Sequence, residues 1–339
     1  MPRQARIDIP GALHHIICRG IERRRLFQDD KDRDDFLGRL GDILRETTTP
    51  CLAWALIPNH FHLLLVTGAV PIATVMRRLL TGYAVTHHRR HQRHGHLFQN
   101  RYKSILCQEE PYLLELVRYI HLNPVRAQIV TDLEELEGYR YSGHSAVMGK
   151  EQNNWQDTGR VLALFANRRS AARDGYRQFV EEGIGMGRRP ELTGGGFIRS
   201  AGGWMALKSG QAAGGGRTKS DERILGEGEF VESVLKEADE TIERRQWLQA
   251  QGYDFQKVVS RAGELSGMNA EEVIKPGKQP QRAKARSLVC YWAVLELGLV
   301  GTSVAKMLGM SQSAVSKAVQ RGGKLAADKG YSLSGERKL

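Results

Sequence analysis

No apolar run in the 339-residue chain approaches the roughly 18 residues needed to cross a bilayer, so nothing in it reads as a membrane span. Cysteine is scarce. The four that occur, Cys18, Cys51, Cys107 and Cys290, lie far apart and form no CxxC pair. That argues against a disulfide framework or a zinc ribbon and fits a reducing cytoplasm. Acidic residues are missing altogether between Glu46 and Glu109, which leaves a carboxylate-based two-metal nuclease without ligands there. The opening residues, Met1 to Arg6, meet Asp8 and Pro10 before any apolar stretch and do not read as a signal peptide. No internal repeat and no nucleotide-binding loop is present, so nothing implies an ATPase.

What is abundant is positive charge. Lys and Arg number 50 against 38 Asp and Glu, a formal net charge of +12. Such an excess favours a polyanion, because basic side chains displace the counterions condensed on nucleic acid. With 41% hydrophobic and 26% charged residues, the rest of the composition is that of an ordinary globular protein. The length suits two or three domains of about 150 residues each.

The apolar pattern divides the chain into three. Residues 1–145 mix short strand-like runs with helical stretches. His14 to Cys18 reads as a strand, and Leu52 to Ile57 and Phe61 to Val66 read as two more joined by a Pro58-Asn59 turn. Phe36 to Leu44, Val75 to Arg90 and Glu110 to Asn123 carry helical spacing, the last stopped by Pro124. Strands alternating with helices predict an α/β or α+β sandwich with one sheet. Residues 146–224 read as a helical extension followed by a glycine-rich connector from about 193 to 216. Helical periodicity resumes after about 225 and continues into an all-α region, 225–339.

Two segments stand out chemically. In Asn59-His60-Phe61-His62, a strand period of two puts both imidazoles on one face and Phe61, Leu63 and Leu65 on the other. Two such histidines can hold a divalent cation, although a lone HxH is more often a pair of surface residues. In Tyr112 to Pro124, Leu113, Leu116, Val117 and Ile120 form an apolar helical stripe. Tyr119 and Asn123 lie at i and i+4 on its flank, a phenol beside an amide oxygen. That pairing suits a nucleophile and a third metal ligand; the competing reading of Tyr119 is a half-buried core tyrosine. Tyr112, near Pro111 at the helix start, reads as a packing residue.

These residues carry a resemblance. The chain resembles the single-tyrosine HUH transposases of bacterial insertion sequences, and most of all their domesticated branch, the REP-associated tyrosine transposases. His60-Phe61-His62 is similar to the His-hydrophobic-His motif. Arg118-Tyr119-Ile120-His121-Leu122-Asn123-Pro124-Val125-Arg126-Ala127 is similar to the segment bearing the catalytic tyrosine. Gly95 to Ser104 resembles a third signature between them. The similarity covers roughly residues 5–145. It implies a ferredoxin-like HUH domain, with an antiparallel sheet and helices, that cleaves and rejoins single-stranded DNA at hairpin sites through a 5′-phosphotyrosine on Tyr119. It also implies a cytoplasmic, nucleoid-associated protein, a homodimer in mobile relatives and a monomer in some domesticated ones. The relatives use a Gln on the tyrosine helix as third ligand, and Asn123 stands in its place here.

The chemistry fits the residues. Free tyrosine has a pKa near 10 and is a weak nucleophile, so a cation on His60, His62 and Asn123 would have to polarise the scissile phosphate. Nitrogen and oxygen ligands together accept Mg²⁺ or Mn²⁺, with imidazole favouring Mn²⁺. Arg19 and the acid-free stretch supply candidate DNA contacts: Arg77, Arg78, Arg89, Arg90, Arg101 and Lys103, with Tyr102 as a stacking ring. The alternative is a solvated helix face. Further on, Gly301 to Arg321 fits a helix-turn-helix, with Gly309 at the turn, Ser311 as cap and Val304, Leu308, Val315 and Ala318 as shared core. Gln312, Ser313, Ser316 and Lys317 would face a major groove. Residues 225–325 resemble the DNA-binding domain of the bacterial replication initiator DnaA; a protein-binding helical hairpin is the other reading. For the whole chain, a DNA-binding regulator that no longer cuts and a water-using phosphodiesterase stay beside the strand-transferase reading.

Overall fold

The alternation of strand-like and helical runs becomes a sheet flanked by helices. The computed structural model describes residues 7–68, 70–187, 189–193, 221–277 and 279–334; most of the glycine-rich connector expected at about 193–216 lies outside them. The order is β1 (Leu13–Arg19), α1 (Asp30–Thr47), β2 (Cys51–Ile57), β3 (His60–Val66), α2 (Ile72–His91), β4 (Lys103–Cys107) and α3 (Glu109–His121). This βαββαβ succession, with β5 (Ile224–Leu225) added at one edge, gives the sheet order β2-β3-β1-β4-β5. It is the split βαβ pattern, in which the first strand ends up between the third and fourth. β1, β2, β3 and β4 pair antiparallel. The edge strand β5 (Ile224–Leu225) pairs parallel with β4, so the sheet is mixed rather than wholly antiparallel.

Between α3 and β5 the chain makes α4 (Asn123–Arg126), α5 (Leu133–Gly138), α6 (Gly143–Met148), α7 (Thr158–Leu162) and α8 (Arg169–Glu182). The sheet separates two cores. Ile16, Cys18, Trp54, Phe61, Leu63 and Leu65 meet Phe36 and Leu40 of α1 and Val75 and Leu79 of α2 on one side. On the other, Ile17, Ala55, Leu64 and Ile105 meet Leu116, Val117 and Ile120 of α3 and Tyr176 of α8. Period-two alternation is what assigns each strand residue to one core or the other.

The chain forms two compact units, the bulk of the first ending at Leu235 and the bulk of the second beginning at Lys236. That division falls inside α9 (Gly228–Ala250), which is followed by α10 (Phe255–Ser266), α11 (Ala270–Ile274), α12 (Pro280–Tyr291), α13 (Gly301–Leu308) and α14 (Gln312–Lys329). The second unit is helical, with Leu288, Trp292, Val304, Leu308, Val315 and Ala318 in its core. The turn between α13 and α14 has the expected form. Gly309 takes φ 58°, a left-handed conformation cheap only for glycine. Ser311 accepts from the Ala314 amide at 3.2 Å as N-cap. Gly322 answers a different need: a Cβ there would lie 2.0 Å from the Ser287 carbonyl oxygen, so glycine permits α14 to cross α12 closely.

Several histidines of the first unit are buried without charge. His14 is pushed down to about 4 by burial. His121 and His144 share the Tyr176 hydroxyl, each at 2.7 Å through Nδ1, which suits one donated and one accepted bond. Burial lowers His144 to about 3 and holds His121 well below its ordinary value. In the unfolded chain all three take up protons near pH 6.5, whereas the folded chain resists them. Stability from these groups is therefore full above about pH 7 and declines as pH falls from there toward 4, by about 1.4 kcal/mol per pH unit for each proton bound only on unfolding. Denaturant titrations at pH 7.5 and 5.5 should show this loss; equal stability at both would contradict neutral burial.

Candidate active site

His60 and His62 stand on β3 with the same parity, where the pairing with β1 sets Arg19 opposite His60 and Ile17 opposite His62. Both belong to the sheet face that α3 covers. Tyr119 arrives from that helix, its ring centroid 5.8 Å from His62 at an interplanar angle of 82°. His60 and His62 are themselves 5.1 Å apart, ring to ring. The structure thus gathers three residues that the sequence keeps in two distant segments.

A fourth member escaped the sequence reading. His15 of β1 lies between His62 and a backbone carbonyl, its Nε2 2.9 Å from His62 Nδ1 and its Nδ1 3.2 Å from Leu192 O. A carbonyl oxygen can only accept, so His15 Nδ1 carries the hydrogen. In a neutral ring Nε2 is then an acceptor, and it must receive the hydrogen on His62 Nδ1. His62 is left with its lone pair on Nε2. Burial keeps the pair uncharged: His15 is lowered to about 4 and His62 well below its ordinary range. His60 follows the same logic through a different partner. Its Nδ1 lies 2.7 Å from Asn59 Oδ1, and Asn59 Nδ2 donates to Arg23 O at 3.3 Å, which fixes the oxygen end toward His60. Burial, with the Arg19 charge second, lowers His60 to about 4. Two neutral imidazoles, each oriented by a bond at Nδ1, are the donor set a divalent cation requires. A strand-parity argument could have raised His15, but only the β1–β3 register places it against His62.

Asn123 does another job first. α3 ends at His121, earlier than the expected stop at Pro124, and α4 begins at Asn123. The Asn123 amide nitrogen donates to the carbonyls of Tyr119 at 2.8 Å and Ile120 at 3.3 Å, in the last turn of α3. Only its oxygen could serve a cation. Arg126, also missed in the sequence, donates to Tyr119 O at 3.1 Å and lies over the Tyr119 ring at 5.1 Å.

The expected DNA contacts separate into three groups. Arg19, Arg77, Arg89 and Arg101 are exposed and Arg78 is half-buried. A groove of about 870 Å³ is lined by Arg77, Thr81 and His88 of α2 and by His96, Phe98 and Arg101 of the following segment. That segment runs beside β1, with Gln99 N donating to Arg19 O at 2.9 Å. Other positions need correction. Tyr102 is 6% exposed, so its ring belongs to the core and does not stand out to stack on a base. Arg90 is ion-paired with Asp29 and Asp32, which diverts its guanidinium from phosphate. The Lys103 ammonium donates to Thr193 O at 2.5 Å. In the second unit Lys317 is exposed and Gln312 and Ser313 are half-buried. Ser316 is 0% exposed and its hydroxyl bonds back to Gln312 O at 3.2 Å, so it cannot read a groove.

The hydrogen-bond chain predicts a tautomer. Long-range ¹⁵N correlation spectra of the metal-free protein at pH 7.5 should show His15, His60 and His62 each protonated at Nδ1. His15→Phe should release His62 from that tautomer and lower Mn²⁺ affinity roughly 10–100-fold, the usual effect of removing an orienting partner. Unchanged spectra and affinity would discard the chain.

Residues 10–123 match the model of a family described as "Transposase IS200 like". No curated protein matches the chain. A solved structure of a REP-associated tyrosine transposase bound to a REP hairpin is similar at 16% identity, covering 46% of this chain and 91% of that one, with a TM-score of 0.37. Among the described residues no helix is long and apolar enough to cross a membrane. The matched segment, about a third of the chain, contains His60, His62 and Tyr119.

Proposed function

We propose that this chain cuts and rejoins single-stranded DNA at hairpin sites through a covalent bond to Tyr119. The observation that carries the reading is the approach of the Tyr119 ring to 5.8 Å from His62, beside a second histidine of the same strand. Tyr119 Oη attacks phosphorus, the bond from phosphorus to the 3′ oxygen breaks, and that oxygen takes up a proton from solvent to leave as a hydroxyl. The phenolic proton is given up to solvent, and the 5′ phosphate stays on Tyr119. A second 3′-OH reverses the step, so strands are joined without ATP because a phosphodiester is kept throughout. A divalent cation, Mg²⁺ or Mn²⁺, held by His60 and His62 with the Asn123 oxygen as a further donor, would polarise the phosphate. Arg19, opposite His60 in the β1–β3 ladder, adds positive charge where the phosphate would lie. Arg126 fixes the Tyr119 ring by bonding its backbone and covering its face.

In this reading residues 1–145 hold the chemistry, 146–224 extend them, and 225–339 add affinity for duplex through Gln312, Ser313 and Lys317. The second reading, a DNA-binding regulator that no longer cuts, draws on Asn123, whose amide nitrogen is engaged with the helix end. One gel separates the two. A hairpin-bearing single strand labelled at its 3′ end, incubated with the chain and Mn²⁺, should yield a labelled protein adduct under denaturing electrophoresis. Tyr119→Phe, His60→Ala and His62→Ala should each abolish it. Tyr102→Phe should keep it, since that ring is buried. An adduct that survives Tyr119→Phe would move the nucleophile elsewhere, and none from the wild type would favour the regulator.

The duplex role has its own readout. Lys317→Ala in the full chain should weaken binding to double-stranded DNA and reduce the slope of log affinity against log salt by about 0.9, one phosphate contact. An unchanged slope would remove Lys317 from the interface.

A further inference from the structure

On the opposite face of the sheet from His60 and His62, α1 and α2 bring together a second set of ligand atoms. His87 and His91 lie one helical turn apart on α2 and Asp32 lies on α1, and one ligand atom from each falls within 4.8 Å of the others. His87 is 1% exposed, and among the described residues neither of its ring nitrogens has a hydrogen-bond partner. A neutral imidazole has one N–H and one lone pair, and burying both without partners is unfavourable. The His91 ring stands 4.4 Å from that of His87, and its Nε2 is 3.0 Å from both Asp32 carboxylate oxygens. Asp32 is anchored besides by the Gln28 amide at 2.8 Å.

We propose that Asp32, His87 and His91 form a second divalent-cation site suited to zinc-like ions. Two histidines at i and i+4 on one helix face are a recurrent zinc-binding arrangement, and a carboxylate from a neighbouring element completes a three-ligand set with water as the fourth. The local charge permits it. Arg90 is paired with both Asp29 and Asp32 and Arg93 is a further cation acting on His87, so the two carboxylates offset the two guanidinium groups and the ion would be held by its bonds to neutral imidazoles and Asp32. Binding would satisfy His87 and pin the start of α1 to the end of α2. Because α2 also carries Arg77 and His88 of the basic groove, the ion would hold that groove's wall in place.

Cobalt(II) reports the site directly, since four-coordinate Co²⁺ with mixed nitrogen and oxygen ligands absorbs in the visible where octahedral Co²⁺ absorbs weakly. The full chain, stripped with chelator, should bind Co²⁺ with a visible band that persists in a His60→Ala, His62→Ala variant. The band and one equivalent of metal should disappear in a His87→Ala, His91→Ala variant. Zn²⁺ should raise Tm in the His60→Ala, His62→Ala variant, and that rise should vanish when His87→Ala and His91→Ala are added to it. His91→Gln, at a partly exposed position, serves as a milder change should the double replacement at 87 and 91 unfold; circular dichroism checks each. Full Co²⁺ binding without His87 and His91, or a wild type that binds only the metal lost with His60 and His62, overturns the proposal.

Discussion

The antiparallel pairing of β1 with β3 is the constraint on which the rest of the candidate site depends. It sets Arg19 against His60 and Ile17 against His62, and it carries His15 into hydrogen-bonding distance of His62. A slip of one residue would turn every side chain of one strand to the opposite core. The imidazoles would then meet Phe36 and Leu79 rather than Tyr119. The registry is enforced by both cores at once. Ile16, Cys18, Phe61 and Leu63 need the α1–α2 side, and Ile17 and Leu64 need the α3 side.

Burial then does chemical work. Histidine in water is charged part of the time at neutral pH. Enclosed between sheet and helix, His15, His60 and His62 are held neutral, and their bonds to Leu192 O and Asn59 Oδ1 select which nitrogen keeps the hydrogen. The end of α3 is set with similar economy. Asn123 and Arg126 both bond to the Tyr119 carbonyl, so the residues that finish the helix also hold the tyrosine.

The second unit relies on simpler rules. Its helices are stopped and started by Gly309 and Ser311, and their crossing depends on the missing side chain of Gly322. The same packing that forms its core withdraws Ser316 from the surface, leaving Lys317 as the exposed charge of α14's first turns.

Much of this was legible in the chain. Alternation placed β1, β2 and β3 nearly to the residue, helical spacing found α1, α2 and α3, and the turn chemistry of Gly309 and Ser311 located the helix pair. These signals are local, because dihedral preference and side-chain period act over a few residues. His60, His62 and Tyr119 were legible as candidates for the same reason: each sits in a short segment whose residue types suggest a use. The tertiary structure decided what is non-local. His15 became a partner of His62 only through strand registry, and Arg90 was drawn from a basic helix face to Asp29 and Asp32 of α1. Tyr102 was taken into the core by the layers around it, and the parallel edge strand β5 came from more than 100 residues further along the chain than β4. Periodicity says which side of an element a residue occupies; only the packing of elements says what waits on that side.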